Sequence, residues 1–463
     1  MDTTCSPPRS SVARVVTTVS IAFVVTQLDV TIVNVALVRI GADLHANVAR
    51  LQWIVDAYTL AFAGLMLSAG ALGDRFGARR LFIAGLAVFA LASLACGLAA
   101  DPALLIAARA VQGLGAAAML PNSLALLNHA CAHDPRLRAR AVGWWTASGA
   151  IAIAAGPVIG GALIGAFGWR SIFLVNLPIC AAGLAAAWLW IDAPRANPAP
   201  ARGLDLPGQC LAAIALTLFT GAVIDWHPLL LGIALAAALA FVLVERSSSA
   251  PMVPPSLFRQ RTFSAAVLFG VCMNLSYYGI IFVLSLYLQR VRHDTPLQAG
   301  LAFLPLTGGF LVSNVASGWA TARYGARRPM IVGALLGACG FALLRLTQAD
   351  TSTAALLAPF LLIPAGMGLA VPAMTTTVLA SVERARAGTA SAVLNTARQA
   401  GGAIGVAAFG VLAGGTQPAR VVAGLHLSAL ASAGLLLVAA ALACAVRAHP
   451  SAPDAGPAPA IPD

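Results

Sequence analysis

The chain has 463 residues, of which 60% are hydrophobic and only 10% charged; that composition excludes an ordinary soluble protein. Its apolar runs approach the ~20 residues that cross a hydrocarbon core. The net charge of +12 comes from arginine alone, with no lysine. The arginines cluster in alternate loops, so they report membrane orientation and not nucleic-acid binding.

In chain order, fourteen apolar spans are expected, at about 15–38, 51–72, 81–100, 103–127, 140–165, 171–191, 206–224, 228–245, 263–288, 298–319, 329–346, 353–379, 389–413 and 423–446. With the N-terminus inside, nineteen arginines fall in cytoplasmic segments and seven in outer ones, which puts both termini in the cytoplasm. Only Arg109 and Arg398 lie well inside spans. The absence of lysine and the abundance of alanine point to a GC-rich bacterial genome, and hence to a bacterial cytoplasmic membrane. Trp53, Trp169, Trp226 and Tyr287 sit near span ends and read as interfacial anchors. The tail 447–463, rich in Pro and Ala, reads as disordered.

An internal repeat organises these spans. Gly70, Arg75, Gly77, Ala78, Arg79 and Arg80 recur 248 residues later as Gly318, Arg323, Gly325, Ala326, Arg327 and Arg328. Each copy joins one span to the next, and the copy is displaced by eight spans, not six. The expected plan is therefore a cytoplasmic N-terminus (1–14), a six-helix half (15–191) and an inserted two-helix hairpin with its linkers (192–262). A second six-helix half (263–446) and the tail follow. Repeated halves are the commonest architecture of secondary transporters.

Ionisable groups inside spans are the functional candidates, because they are costly there. Asp29 in the first span must face a cavity or a partner. It reads either as a group that exchanges a proton for substrate or as a polar pin between helices. Arg109 in the fourth span lies within about half a helical turn of Asp29 in depth, and Gln112 is one turn further along the same face. Arg stays charged at any working pH, so Arg109 either tunes a neighbouring acid or holds backbone carbonyls. Asp56 in the second span is either a second carboxylate near the outer mouth or an interfacial acid in water. Asp225 and Glu245 read as surface groups.

The repeated loop admits two readings, a purely topogenic basic loop or a conformational latch. In the latch, Gly70, Gly73 and Gly77 allow a tight turn and close approach. Asp74 docks on the positive end of a facing helix, and Arg75, Arg79 and Arg80 anchor at the inner leaflet. The second copy has Ala322 where Asp74 stands, so the latch is asymmetric. In the fifth span, Gly156, Gly160 and Gly161 have small-residue spacings for close packing between halves, and Pro157 bends the helix. Asn34, Tyr58, Gln112, Met119, Asn122, Asn274, Tyr277, Tyr278, Met367 and Met374 are candidate cavity residues, with core or lipid packing as the alternative for each.

Four signatures together resemble the major facilitator superfamily, in its fourteen-span drug:proton antiporter branch. They are Leu28 to Leu37 in the first span, the Gly70–Arg80 loop, Arg109 to Ala116 with Pro121, and Gly156 to Gly161 followed by Trp169 to Phe173 and Asn176 to Pro178. Asn395 and Arg398 to Gly402 in the thirteenth span are similar to that branch as well. The resemblance implies an all-α polytopic fold and export coupled to proton entry. It implies further that spans 1 and 4 line a central cavity, and that Asp74 docks near Gly388 when the protein opens outward. Asp56 departs from the usual neutral residue.

No phosphate-binding loop and no catalytic constellation are present, so neither an ATP-driven pump nor an enzyme is expected. The expected partners are the lipid bilayer and a small molecule, without cofactor, metal, nucleic acid or obligate protein partner; protons are the coupling ion. An uptake symporter and a non-transporting membrane sensor are the alternatives. Spans 9–14 offer no acid deep in the membrane, which argues against a cationic substrate and for a neutral or zwitterionic one.

Overall fold

The computed structural model describes residues 9–131, 134–191, 205–248, 253–383, 386–415 and 417–446. The first residues of the expected cytoplasmic terminus (1–8), the linker stretch 192–204 and the expected disordered tail 447–463 lie outside the described residues. Every described element is helical. The first group is α1 (Arg9–Asp43), α2 (Val48–Phe76), α3 (Ala78–Leu98), α4 (Pro102–Ala130), α5 (Pro135–Phe167), the single turn α6 (Ser171–Leu174) and α7 (Asn176–Trp190). Next come α8 (Leu206–Asp225), α9 (Pro228–Ser247) and the short α10 (Pro255–Phe258). The last group is α11 (Arg261–Leu286, continued by a π turn Tyr287–Val291), α12 (Pro296–Tyr324), α13 (Arg327–Leu343), α14 (Thr353–Ala380), α15 (Ala387–Leu412) and α16 (Pro418–Ala445).

Among the described residues, twelve helices are long and apolar enough to cross a membrane, or thirteen if the two parts of α2, bent by 52°, count as one span. The expected span left over is the thirteenth in chain order, α15, which has the length but not the composition, because Asn395, Thr396, Arg398 and Gln399 interrupt its apolar sequence. Helices are enforced here because no water satisfies a peptide group in hydrocarbon. Their ends are closed locally. Asp101 accepts the Leu104 N–H at 2.9 Å, and Thr295 forms a capping box with Gln298, each ahead of a proline that cannot supply an N–H of its own.

The helices form two bundles. In the first, α1 packs on α4, α5 and α7, and α4 on α2 and α3; in the second, α11 packs on α15 and α16, and α14 on α12 and α13. The bundles meet where α5 lies on α12 and α2 on α15. Their mutual hydrogen bonds run from the end away from the arginine-rich loops to about mid-depth, where Thr396 donates to the Ala63 carbonyl at 3.5 Å. Gln52 donates to the Val406 carbonyl at 3.0 Å, Gln289 to Val35 at 3.0 Å and Thr307 to Ala154 at 3.3 Å. The Ser285 hydroxyl donates to the Asn34 carbonyl. The bundles are thus clasped at one end, with no such bond at the arginine-rich end among the described residues.

Helices α8 and α9 form a hairpin turned at Trp226, whose φ is 51°. Helix α8 covers the α2–α15 seam. Gln209 donates to the Gly64 carbonyl at 3.0 Å and accepts from the Ser68 hydroxyl. Glu245, expected at the surface, is buried and accepts the Val253 N–H at 3.1 Å. Two expected anchors also turn inward: the Trp169 indole donates to Asp43 at 2.8 Å and the Tyr287 hydroxyl to the Gln348 carbonyl at 2.5 Å. Amphipathic aromatics bury when a polar partner meets their tip.

Candidate functional site

The N-terminal bundle is built around one buried polar cluster. Arg109 and Gln112, three residues apart on α4, face the same way and meet Asp29 from α1. Arg109 Nη1 donates to Asp29 Oδ2 in an ion pair whose side chains are 2% and 0% exposed. Asp29 Oδ1 accepts from Gln112 Nε2 at 2.8 Å and from Asn176 Nδ2 at 3.1 Å. Gln112 Nε2 also donates to the Ser93 hydroxyl at 2.8 Å, while Gln112 Oε1 accepts from Arg109 at 2.6 Å. Arg109 Nε donates to the Ile54 carbonyl at 3.1 Å. The break between α6 and α7 makes this possible, because it sets Asn176 at the first turn of α7 with its amide inside the bundle.

Sequence reasoning paired Asp29 with Arg109 and Gln112. It missed Ser93, and it noted Asn176 only as part of a motif. Both are single small polar residues in apolar helices, and nothing in the chain marks them until four helices converge on one carboxylate.

The cluster does not itself line the cavity. A narrow space lies between the bundles, lined by Thr26, Gln27, Val30, Asn34, Val55, Tyr58, Thr59, Phe62 and Leu120 from one side and by Tyr278, Gln399, Gly402 and Val406 from the other. No lining residue carries a charge. Tyr58 is the partition: one side borders the cavity, and the Arg109 guanidinium sits 4.4 Å from its ring centroid, a cation–π contact. The ion pair therefore stands one side chain behind the cavity wall.

Of the other candidate cavity residues, Asn34 and Tyr278 line the space. Asn274 accepts from Arg398 Nε at 3.3 Å, and Tyr277 packs edge-on against Tyr278 and Phe310. Met119, Met367 and Met374 are buried in helix seams away from the cavity, as their apolar neighbours on both sides require. Asn122 is buried too and ties α4 to α2 through the Ala69 carbonyl at 3.1 Å. The signal for the observed lining was the polar pair Thr26 and Gln27, one turn before Asp29.

Asp56 is not at an aqueous mouth. It is fully buried, one helical turn from Gln52 on the face of α2 that meets α15, and both carboxyl oxygens lack a hydrogen-bond partner.

The repeated loop is a tight turn in both copies, with φ of 98° at Gly77 and 74° at Gly325. Close approach of α2 to α4 at Gly73 leaves no room for a side chain against Asn122, and Gly70 faces Pro121. Asp74 is exposed and forms no ion pair among the described residues; Gly388 has open space around it. Arg79 donates to the Trp188 carbonyl at 3.1 Å, Arg75 lies over Phe76, and Arg80 is exposed. In α5 the glycines divide their work. Gly156 and Gly160 lie against Thr31 and Ile32 of α1, inside one bundle. Gly161 and the Pro157 carbonyl meet Pro296 and Gly300 of α12, between bundles.

A model of the Major Facilitator Superfamily matches residues 19–406. The chain belongs to this superfamily. It is 38% identical over 413 residues to a methylenomycin A resistance protein of Streptomyces coelicolor, covering 86% of this chain and 85% of that one. It is 40% identical to the cephamycin export protein CmcT of Amycolatopsis lactamdurans over 393 residues, 82% and 80% of the two chains. The fold is also that of the nucleoside transporter NupG, with a TM-score of 0.70 at 11% identity, covering 94% of this chain and 99% of that one. The superfamily fold accounts for the two bundles clasped around one central cavity, in a multi-pass membrane protein.

Proposed function

We propose that the protein is a proton-coupled exporter of small, largely apolar drugs or antibiotics, working by alternating access across a bacterial cytoplasmic membrane. The observation that carries this reading is the buried Asp29–Arg109 pair set directly behind the Tyr58 wall of the cavity. Relatives named for antibiotic resistance and export support the direction of transport.

In this reading the chain crosses the membrane fourteen times, with α15 as the span that composition undercounts. Two six-helix halves flank the α8–α9 hairpin as an insertion, and both termini are cytoplasmic. The clasped end is then the outer one, and the cavity opens to the cytoplasm. Substrate entering it presses on Tyr58, and the guanidinium behind the ring shifts relative to Asp29. A proton arriving from outside neutralises Asp29 and leaves Arg109 held only by Gln112 and the Ile54 carbonyl. Asp56 separates from α15 when the outer clasp opens, which makes it the second acid on the route. Asp74 engages the start of α15 only in the outward-open state. One proton per cycle yields about 2.3 kcal/mol per 100 mV, enough at 100 mV for a substrate gradient of roughly fifty-fold. No cofactor, enzymatic step or protein partner is required.

The test is dye accumulation in an efflux-deficient bacterial host, with and without a protonophore. Expression should lower accumulation, and the protonophore should abolish that effect. Raised accumulation would indicate uptake instead. No change with any of a broad panel of dyes would contradict the exporter reading.

A further inference from the structure

The second bundle holds a cation that no acid pairs with among the described residues. Arg398 sits near the middle of α15, partly exposed in the centre of the protein. Its Nε–H goes to Asn274 Oδ1 at 3.3 Å, and no carboxylate lies within ion-pair distance among the described residues. The only acids between Arg261 and Val446 are Asp294, Asp350 and Glu383, all at helix ends or in connections. Of these, Asp294 is paired with Arg292.

Arg398 does not itself line the cavity, but three residues beside it do. Tyr278, Gln399 and Gly402 all line that space, and Gly402 abuts the Tyr278 ring. On the opposite side, Arg109 is already matched by Asp29. The lining thus contains no acid, and Asp56 on the facing helix α2 forms no ion pair with Arg398 among the described residues. A lone charge in a low-dielectric interior is costly unless something pairs with it. A guanidinium with its two terminal nitrogens unengaged is a planar fork that matches a carboxylate in bidentate geometry.

We propose that Arg398 is the anion-binding residue of the cavity, and that the exported compound is an organic monoanion presenting a carboxylate on an apolar body. This rests on the exporter reading and supplies its substrate class. Asn274 holds the guanidinium by its Nε edge and leaves the fork for the ligand. Tyr278 and the apolar lining take the rest of the molecule.

The experiment uses the full chain in proteoliposomes under an imposed pH gradient. The probes are a carboxylated coumarin, its neutral methyl ester and the cation ethidium, each run in chloride and in sulfate buffer. The wild type should move the carboxylate at least tenfold faster than the ester, equally in both buffers. Arg398→Gln should cut carboxylate transport at least tenfold and leave the ester within twofold, and Arg398→Lys should fall between. Asn274→Asp keeps the contact to Arg398 while supplying an internal counter-ion, so it should lose the carboxylate as Arg398→Gln does. It also guards against a folding defect in the arginine variants.

Transport of ester or ethidium in preference to the carboxylate would overturn the inference and leave export standing. So would carboxylate transport that is indifferent to Arg398→Gln. A carboxylate rate that requires chloride would assign Arg398 to an inorganic ion and overturn it as well. Failure to move any probe would overturn the exporter reading and this inference together.

Discussion

The two bundles each hold an arginine beside a tyrosine of the cavity wall, and they treat it in opposite ways. Arg109 behind Tyr58 is locked to Asp29 and braced by Gln112 and the Ile54 carbonyl. Arg398 near Tyr278 has a neutral amide alone. The difference teaches how one fold divides two tasks. A pre-paired charge responds to a proton, because protonation unbalances it; an unpaired charge responds to a ligand, because only a ligand balances it. The offset of 248 that relates the two loops carries Asp29 onto Tyr277, so the second bundle has an aromatic ring where the first has its acid.

The largest expected effect comes from breaking the locked pair on one side. Arg109→Gln leaves the Asp29 carboxylate buried without its counter-charge, at a cost of about 3–5 kcal/mol. Thermal unfolding in detergent should show it, and Asp29→Asn added to Arg109→Gln should recover much of the loss. No recovery in the double variant would mean that the two residues act independently.

A smaller effect of opposite sign is expected at Asp56. Its oxygens lack partners, so Asp56→Leu removes an unsatisfied buried group and should stabilise the clasped state by about 1–3 kcal/mol. Export should slow, because the clasp opens less readily. Cysteine accessibility at the clasped end is the readout, and unchanged or raised accessibility would contradict the account.

The two loop copies give the smallest contrast. Gly77→Ala and Gly325→Ala each force a side chain into positive φ with open space around it, so each should cost about 1 kcal/mol from the backbone alone. Only the first copy carries an acid, so Asp74→Asn should shift the inward–outward balance by about 0.3–1 kcal/mol. Ala322→Asn should not. Cross-linking across the arginine-rich end separates the two.

Much of this was legible in the chain. Apolar length marks the spans, the loop repeat marks the halves, and a charge in an apolar run marks Asp29 and Arg109. What was not legible depends on helix rotation. Asp56 differs from an interfacial acid only in facing α15, and Met119, Met367 and Met374 differ from cavity residues only in facing helix seams. The depth of Tyr58 between pair and cavity follows from how α2 leans on α4, and no local pattern encodes it. Ser93 and Asn176 are recognised only by what they bind.

The central claim is that Asp29 couples the proton to the substrate from behind the wall. The most direct measurement compares Asp29→Asn with wild type in proteoliposomes, using one exported dye, for pH-driven accumulation and for downhill exchange without a gradient. The account predicts that the variant loses pH-driven accumulation and keeps downhill exchange. A variant that still accumulates dye under the pH gradient as the wild type does would contradict it.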